Sequence, residues 1–529
     1  MKEIKLLDCT LRDGGYVNEW NFGYGVIKEM IQKLVLSNID IIECGYLSCT
    51  RHVSCNHSIF ASFEDLRKVV AMKKPGQTYA VMINFGEVPI DCIQKEEEHY
   101  ILRVAFHKKD KTEAIAYCKQ LIEKGYEVFV QPMGTLDYSD FELLELIEQC
   151  NQIEPSAFYI VDSFGVIETK DFKRLLYLAD NNLKSSIQLG YHSHNNLQQA
   201  YGNAKFMVEQ HLEHRIILDG SVFGMGRGAG NLNMELFAEY LNKNCGKSYL
   251  VEPLLEIIDN NLKPIFNQNF WGYSLPFYLS SIYNCHPNYA SYFSDKNTLS
   301  IKSMNEILKS IPSRQKGEFT KEAAEEIYLS YQKNYVDDRE VIQTLKEELG
   351  NRNILIMAPG KTIKIYQESI QNYIKEYNPI VISVNIQNSF YESDYLICSN
   401  EKRFEKIKDC KNEKLILTSN LKVEGENVYT INYSSYLCKE LTIADNPTLI
   451  LINLLCTLGI HQVAIAGFDG YQLNPKENYF EHDLSLGTSS HTKVVKNQLI
   501  AKELETLKEQ IHVRFLTPSM YENLGAKKE

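Results

Sequence analysis

The sequence lacks any apolar stretch long enough to cross a lipid bilayer, which takes about 20 consecutive residues. Its most apolar stretch, residues 448–468, contains Asn453 and His461 and is predicted to be a buried helix followed by a buried strand. The first residues, MKEIKLLDCTLRDGG, lack the apolar core of a secretory signal. We therefore expect a cytoplasmic protein with no membrane partner.

Paired cysteine spacings are also missing. The chain has 13 cysteines, an odd number, and no two of them form a CxxC pair. Disulfide frameworks favour small secreted domains, and structural zinc sites favour paired spacing. The sequence therefore predicts reduced cysteines, most of them buried. A disulfide framework and a structural zinc site are both unexpected.

An excess of basic residues is missing as well. The formal net charge is -12 at pH 7, whereas nucleic acids and anionic membrane surfaces require a basic face on the protein that binds them. Nucleic acid is therefore not expected as a partner. At 529 residues the chain is too long for one compact core, and its length predicts two to four domains.

The first 250 residues contain a repeated alternation of short apolar runs with amphipathic stretches. The eight runs are 4–10, 39–45, 79–85, 100–106, 126–132, 158–164, 186–194 and 215–221. Most connections have the periodicity of a helix, and the one between the third and fourth runs is short and less clearly helical. Strands that alternate with helices indicate a parallel sheet, and eight such strands can close a barrel. The sequence predicts an α/β fold with an N-terminal (β/α)8 TIM barrel; an open doubly wound sheet is the alternative.

The rest of the chain changes character twice. Residues 251–349 lose the strand-like runs and show helical patterns, so we predict a helical extension or bridge there. From residue 350 to 529 apolar runs return, at 353–359, 379–385, 394–400, 413–419, 427–433 and 462–468, and predict a Rossmann-like α/β domain. The predicted domains are therefore 1–250, 251–349 and 350–529.

Three polar motifs follow predicted barrel strands, at the end where barrel enzymes place catalysis. They are CTLRDGG at 9–15, YHSHNN at 191–196 and GMGRGAGN at 224–231. Side chains two residues apart on a strand point the same way, so His192 and His194 can share an ion. In a closed barrel the eighth strand lies between the seventh and the first, which lets Asp13 join them. One carboxylate and two imidazoles predict an open divalent-metal site, and Asn231 could add an oxygen ligand.

These motifs, with IIECGY and VDSFG, resemble the metal-dependent aldolase and acyltransferase superfamily that includes 4-hydroxy-2-oxovalerate aldolase and 3-hydroxy-3-methylglutaryl-CoA lyase. The resemblance covers about residues 1–295. It implies that Asp13, His192 and His194 bind the metal, with Asn231 beside them, and that Arg12 stabilises an enolate oxygen. Mn2+ or Mg2+ is expected, with Zn2+ or Co2+ as alternatives.

The reaction that this resemblance implies is cleavage or formation of a carbon–carbon bond in a 4-hydroxy-2-keto acid, through a pyruvate enolate that the metal stabilises. A 2-keto acid (pyruvate) and an aldehyde are then the small-molecule partners. Claisen-type condensation or cleavage of an acyl-CoA with a keto acid is the alternative chemistry. A barrel that only supports a C-terminal sugar-related transferase or binding domain is a second alternative. A homo-oligomer and a downstream enzyme are further partner hypotheses.

The residue that would move the hydroxyl proton is where the sequence departs from the resemblance. The hydroxy-keto-acid aldolases have a histidine two residues after RDG, and this chain has Tyr16 there. Tyr16 and His107 are therefore the candidates for proton transfer, with His52 as another. Tyr289 lies near a tyrosine position that lines the active site in that branch, and aromatic packing between helices is its alternative role.

The C-terminal region has a weaker functional signal. Residues 356–363, IMAPGKTI, read as a strand, a turn and a helix start, where backbone N–H groups can hold a phosphate. GxGxxG and GxxxxGK[ST] are both absent from this segment, so no nucleotide motif is predicted. The region faintly resembles bacterial sialyltransferase-type surface-glycan proteins, which implies a sugar-related role. Asp469, His482 and His491 are its polar loop residues, and we expect them to be solvated.

Overall fold

A computed structural model gives the fold of most of the chain. It describes residues 3–51, 54–296, 298–333, 335–387, 390–407, 414–423, 425, 427–472, 478–479 and 490–522. By its internal contacts the chain divides into two compact units, Met1–Asn288 and Tyr289–Glu529. The three-part division expected from the sequence stays a prediction. No helix among the described residues is long and apolar enough to cross a membrane.

The apolar runs of the first unit form parallel β-strands. Their bounds are β1 Ile4–Asp8, β2 Ile41–Leu47, β3 Ile59–Phe60, β4 Thr78–Asn84, β5 Tyr100–Phe106, β6 Glu127–Pro132, β7 Ala157–Asp162, β8 Gln188–Ser193 and β9 Ile216–Gly220. The sheet order is β1-β9-β8-β7-β6-β5-β4-β2-β3, and β1 also pairs with β2, with Leu7 opposite Ile41. This last pairing closes the sheet, so the predicted TIM barrel is confirmed and the open sheet is wrong for this unit.

The closed barrel has the eight predicted strands, and its sheet carries one short strand more. Strand β3 has two residues and pairs only with the last residues of β2, so it extends β2 beyond the closed barrel. The connection from β4 to β5 contains only a 3-10 turn, Ile90–Cys92, in agreement with its weak helical pattern. The other connections contain longer helices, which cover the outside of the barrel. These are α1 Tyr24–Leu36, α2 Phe63–Arg67, α3 Lys111–Glu123, α4 Asp140–Ile153, α5 Thr169–Asn182, α6 Ala200–Glu209 and α7 Met234–Cys245.

The interior of the barrel has an apolar layer with a charged layer above it. Ile41, Ile101 and Ile217 belong to the apolar cluster inside the barrel. Two residues further along the same strands are Glu43, Arg103 and Asp219, all buried. Because residues two apart share a face of a strand, these charged groups also point into the barrel, closer to the carboxyl ends of the strands.

Helices follow the barrel, as the sequence predicts. Their bounds are α8 Glu252–Ile257, α9 Lys263–Phe266, α10 Leu275–Ile282, α11 Pro287–Lys296, α12 Ile301–Ser310, α13 Ser313–Lys316, α14 Lys321–Gln332 and α15 Arg339–Leu349. Ser274, Ser300 and Thr320 accept a backbone N–H at the starts of α10, α12 and α14, which explains why these helices begin there.

The second unit contains a parallel sheet of seven strands. They are β10 Ile354–Met357, β11 Ile380–Val384, β12 Tyr395–Cys398, β13 Lys414–Thr418, β14 Val428–Ile431, β15 Gln462–Ala466 and β16 His512–Phe515. The remaining helices are α16 Thr362–Ile365, α17 Gln367–Tyr377, α18 Glu401–Ile407, α19 Pro447–Thr457 and α20 Ser490–Leu507. The order β14-β13-β12-β11-β10-β15-β16 changes direction between β10 and β15, as in open doubly wound folds. The predicted Rossmann-like sheet is present; its edge strand β16 was not predicted.

Candidate metal centre

Asp13 is placed by a tight turn at the carboxyl end of β1. Its backbone N–H donates to the carbonyl of Cys9 at 2.8 Å, and a 3-10 turn, Gly14–Val17, follows. The ring of Trp20 packs against Gly15, where any side chain would overlap it, and its Nε1 donates to the carbonyl of Arg12 at 2.7 Å. The absence of a side chain at Gly15 therefore lets Trp20 fix the backbone that carries Asp13.

Asp13, His192 and His194 come together at the carboxyl end of the barrel. One ligand atom of each lies within 4.8 Å of the others, and all three side chains are buried. The two histidines belong to β8 and the residue after it, so the convergence that the strand pattern predicted is what the structure has. Among the described residues this is the one cluster of histidine, cysteine, aspartate or glutamate that could hold an ion.

His192 is oriented by a carboxylate behind it. Its Nδ1 lies 2.9 Å from Oδ2 of Asp219. A hydrogen bond from Nδ1–H leaves Nε2 as the atom that can bind a metal, which is the usual arrangement around metal-bound histidines. Burial opposes ionisation of Asp219, but Arg103 and the bond from His192 hold the pKa of its carboxyl below the usual range.

His194 has the properties of a neutral ligand. Its Nδ1 is buried, without a hydrogen-bond partner among the described residues, and lies 3.8 Å from Oδ2 of Asp13. Burial lowers the pKa of His194 to about 3, against the opposite effect of Asp13. Burial would raise the pKa of Asp13, but His194 and Arg12 hold it well below the usual range. An ionised carboxylate and a neutral imidazole with a buried lone pair fit a divalent cation.

Asn231 lies beside Asp13, as the resemblance implied. Its Nδ2 donates to Oδ2 of Asp13 at 2.7 Å, and its Oδ1 is buried with no hydrogen-bond partner in the part of the chain that the structure describes. The Oδ1 atom of Asn231 is therefore still available to bind a metal ion. Gly226 packs against this pair so closely that a side chain there would overlap the amide of Asn231.

Arg12 joins the site to a buried ionic network. Its Nη1 donates to Asp13 at 2.7 Å and its Nε donates to Glu43 at 2.9 Å, while Nη2 is buried without a partner among the described residues. Arg103 pairs with Glu43 at 2.7 Å and with Asp219. A continuous chain of charged contacts therefore runs from Arg12 through Arg103 to His192.

Glu43, Arg103 and Asp219 are the site residues that were missed from the sequence. Each is one charged residue inside an otherwise apolar run, in IIECG, ILRVAF and IILDG. A buried charge is costly unless it is paired, so such a residue in a barrel strand is itself a signal of a site. With Asp13 and Arg12, these residues form a network of three carboxylates and two guanidinium groups. One negative charge is therefore left for a cation to balance.

The other predicted site residues lie in different environments. Tyr16 is 39% exposed, and its hydroxyl is 3.3 Å from that of Tyr46. His107 is exposed, just after β5. Tyr289 is fully buried in the second unit, where its hydroxyl donates to the carbonyls of Gln315 and Glu318, both at 3.1 Å. These contacts are those of a packing residue. His52 lies outside the described residues.

The second unit has no comparable set of convergent ligands among its described residues. The backbone N–H of Thr362, at the start of α16, donates to Oδ2 of Asp469 at 2.9 Å, and the Thr362 hydroxyl also donates to this carboxylate. The helix start considered for a phosphate therefore already has an internal acceptor, and Asp469, expected to be solvated, is partly buried. His482 and the side chain of His491 lie outside the described residues.

Comparisons with known proteins match the region of the barrel to a known family. Residues 3–253 match the family described as HMGL-like. A 4-hydroxy-2-oxovalerate aldolase of Carboxydothermus hydrogenoformans is 29% identical over 249 residues, 46% of this chain and 71% of the relative. An oxaloacetate decarboxylase of Mycobacterium tuberculosis is 23% identical over 247 residues, 46% of this chain and 71% of the relative.

One solved structure is also similar to part of this chain. The N-terminal domain of a candidate aldolase from Bacteroides vulgatus is 28% identical, with a TM-score of 0.47, over 57% of this chain and 99% of that one. The sequence match of residues 3–253 assigns the barrel to the aldolase and pyruvate carboxyltransferase superfamily, as its motifs implied.

Proposed function

Since residues 3–253 form an HMGL-like domain, we propose that the barrel is a divalent-metal-dependent aldolase, a carbon–carbon lyase acting on a 4-hydroxy-2-keto acid. Cleavage between C3 and C4 would give pyruvate and an aldehyde, and the reverse reaction would join them. The observation that carries the proposal is the convergence of Asp13, His192 and His194 within 4.8 Å at the carboxyl end of a closed barrel.

Asp13, His192 and His194 would hold the ion, with the Oδ1 of Asn231 beside them. One carboxylate, two imidazoles and an amide oxygen suit Mn2+ or Mg2+, and leave positions for substrate. A bound divalent ion would supply positive charge to the keto oxygen and carboxylate of the pyruvate half. Asp219 would keep His192 in the tautomer that presents Nε2 to the ion.

Arg12 would stabilise the enolate. Cleavage leaves the bonding electrons on the pyruvate half, so negative charge develops on its keto oxygen. Nη2 of Arg12 is the donor that Asp13 and Glu43 do not use. Because both carboxylates fix the guanidinium in place, it would meet the developing charge without reorganisation.

A proton must also leave the 4-hydroxyl as the bond breaks. Tyr16 and His107 are the proposed candidates. Tyr16 is supported by its place three residues after Asp13 and by its partly exposed hydroxyl beside that of Tyr46. His107 is supported by its position after β5, on the face where the ligands lie.

The test is release of pyruvate from 4-hydroxy-2-oxopentanoate by the full-length chain. We expect turnover with added Mn2+ or Mg2+, loss of turnover after chelation and dialysis, and recovery when the ion is restored. The alternative reaction is assayed in parallel as free CoA released from acetyl-CoA and a 2-keto acid. Release of CoA without any release of pyruvate would contradict the aldolase proposal.

A further inference from the structure

Arg227 is a second arginine at the mouth of the barrel. It follows Gly226, the residue packed against Asn231, in the loop after β9. Its Nη2 donates to the carbonyl of Ser163 at 2.7 Å, and its guanidinium lies 5.3 Å from the ring centre of Tyr16. Its Nε is buried, with no hydrogen-bond partner in the described part of the chain. The side chain is therefore fixed in position while part of its donor capacity is unused.

His286 lies against the same guanidinium. Its Nε2 is 3.4 Å from Nη1 of Arg227, and its ring packs edge-on against Phe164 at 5.7 Å between centres. The backbone N–H of Asn288 donates to Nδ1 at 3.2 Å. Because Nδ1 accepts this bond, the proton of the neutral ring is on Nε2.

At the mouth of the barrel, Nη1 of Arg227 and the Nε2–H of His286 therefore face each other as two hydrogen-bond donors. Burial, and then the neighbouring Arg227, lower the pKa of His286 to about 3, so the ring is neutral at physiological pH. Among the described residues, the charged neighbour with the largest effect on His286 is the cationic Arg227. An N–H of Arg227 and the Nε2–H of His286 can both be satisfied by one oxygen atom, best by a negatively charged one.

We propose that Arg227 and His286 bind a carboxylate or phosphate on the aldehyde-derived half of the substrate. This inference rests on the proposed aldol reaction. In that reaction the three candidate metal ligands and Arg12 serve the pyruvate half, which leaves Arg227 and His286 for the other half. The enzyme is then selective for aldehydes with an anionic end, and Arg227 and His286 are its specificity-determining residues.

The experiment compares aldehydes of matched length in condensation with pyruvate. The carboxylate pair is 4-oxobutanoate against butanal, and the phosphate pair is glyceraldehyde 3-phosphate against glyceraldehyde. We expect kcat/KM to be higher for one of the anionic aldehydes than for its neutral match by roughly 10- to 100-fold, the range for a hydrogen-bonded ionic contact. The pair with the larger ratio identifies the anionic group.

Variants then assign the selectivity to this pair of residues. Arg227→Gln should bring the ratio of kcat/KM between the anionic and the neutral aldehyde close to one. His286→Leu should lower the same ratio. His286→Gln keeps a donor near the position of Nε2 and should restore part of the ratio. Arg215→Gln is the matched control, because Arg215 is exposed at the amino end of β9, and it should leave the ratio unchanged.

Two results would overturn the inference in different ways. Condensation at equal or higher kcat/KM with the neutral aldehydes, or a ratio unchanged in Arg227→Gln, would reject the anionic substrate and leave the aldolase proposal intact. If no aldehyde condenses and the metal-loaded protein does not exchange the methyl protons of pyruvate with D2O, the aldolase proposal fails and this one with it.

Discussion

The two units of this chain use parallel sheets in contrasting ways. Barrel strands β2, β5 and β9 each bury a charged residue, Glu43, Arg103 and Asp219. In strands β10–β15 of the second unit the one charged residue is Lys414, at the first position of β13. Strands β1 and β7 also bury Asp8 and Asp162, each at the last position of its strand. Most other positions of both sheets are apolar, so the hydrophobic pattern alone does not separate them.

The difference shows which feature marks a reactive site. A charge inside a protein is costly unless it is paired, and Arg103 pairs with both Glu43 and Asp219. The network fixes Arg12 on one side and His192 on the other. In the second unit the partly buried carboxylate of Asp469 already accepts a hydrogen bond from Thr362, at the start of a helix. Buried charge orients candidate ligands in the first sheet, whereas a partly buried carboxylate holds a turn in the second.

The largest expected effect comes from removing a candidate ligand. His192→Ala should abolish binding of Mn2+ and release of pyruvate, because the carboxylate and one imidazole that remain bind an ion weakly. Titration calorimetry with Mn2+ and the pyruvate assay measure both effects. His461→Ala, an exposed histidine of the second unit, is the matched control and should change neither. Full activity of His192→Ala after chelation and dialysis would show that the barrel needs no ion at this position.

The next effect is on stability. Arg103→Met leaves Glu43 and Asp219 buried without their shared cation, and should lower the free energy of unfolding by about 3–5 kcal/mol. Arg514→Met, on the exposed edge strand β16, should change it by less than about 0.5 kcal/mol. Chemical denaturation of the two variants measures the contrast. Equal, small losses would mean that the barrel charges are not coupled as their distances indicate.

A smaller free-energy change is expected for Arg12. Arg12→Gln should lower kcat for pyruvate release by roughly 100- to 1,000-fold, the range for removal of one donor to a developing oxyanion. The change should fall on kcat more than on KM, because the enolate charge exists only along the reaction path. Steady-state kinetics with saturating Mn2+ separate the two constants. An unchanged kcat would remove Arg12 from this role.

The sequence predicted the barrel and the convergence of its candidate metal ligands from the spacing and order of the strands. Strand spacing gave the closed sheet, and the i, i+2 relation placed His192 beside His194. Asp13 could be added because closure makes the first strand a near neighbour of the seventh. These predictions required only the order of the strands.

Other features depended on contacts that sequence spacing does not encode. The pairing of Arg103 with Glu43 and Asp219 joins three separate strands, and that of Arg227 with His286 joins two distant loops. Strand β16 was missed because HVRF is short and half-exposed at a sheet edge, without the apolar run of a central strand. Tyr289 matched a family position approximately, and its contacts depend on the helices around it.

The smallest expected effect tests the structural role of Asp469, the partly buried carboxylate of the second unit. Asp469→Ala removes the acceptor of the backbone N–H and hydroxyl of Thr362, and should destabilise the second unit by about 1–2 kcal/mol. Asp469→Asn keeps one oxygen acceptor and should cost less. Hydrogen exchange should rise in peptides that cover residues 354–366 and 462–470, while peptides from β1–β9 and the rate of pyruvate release stay at their original values. A fall in pyruvate release without any change in exchange would contradict a purely structural role, and would mean that the polar turns of the second sheet contribute to the reaction.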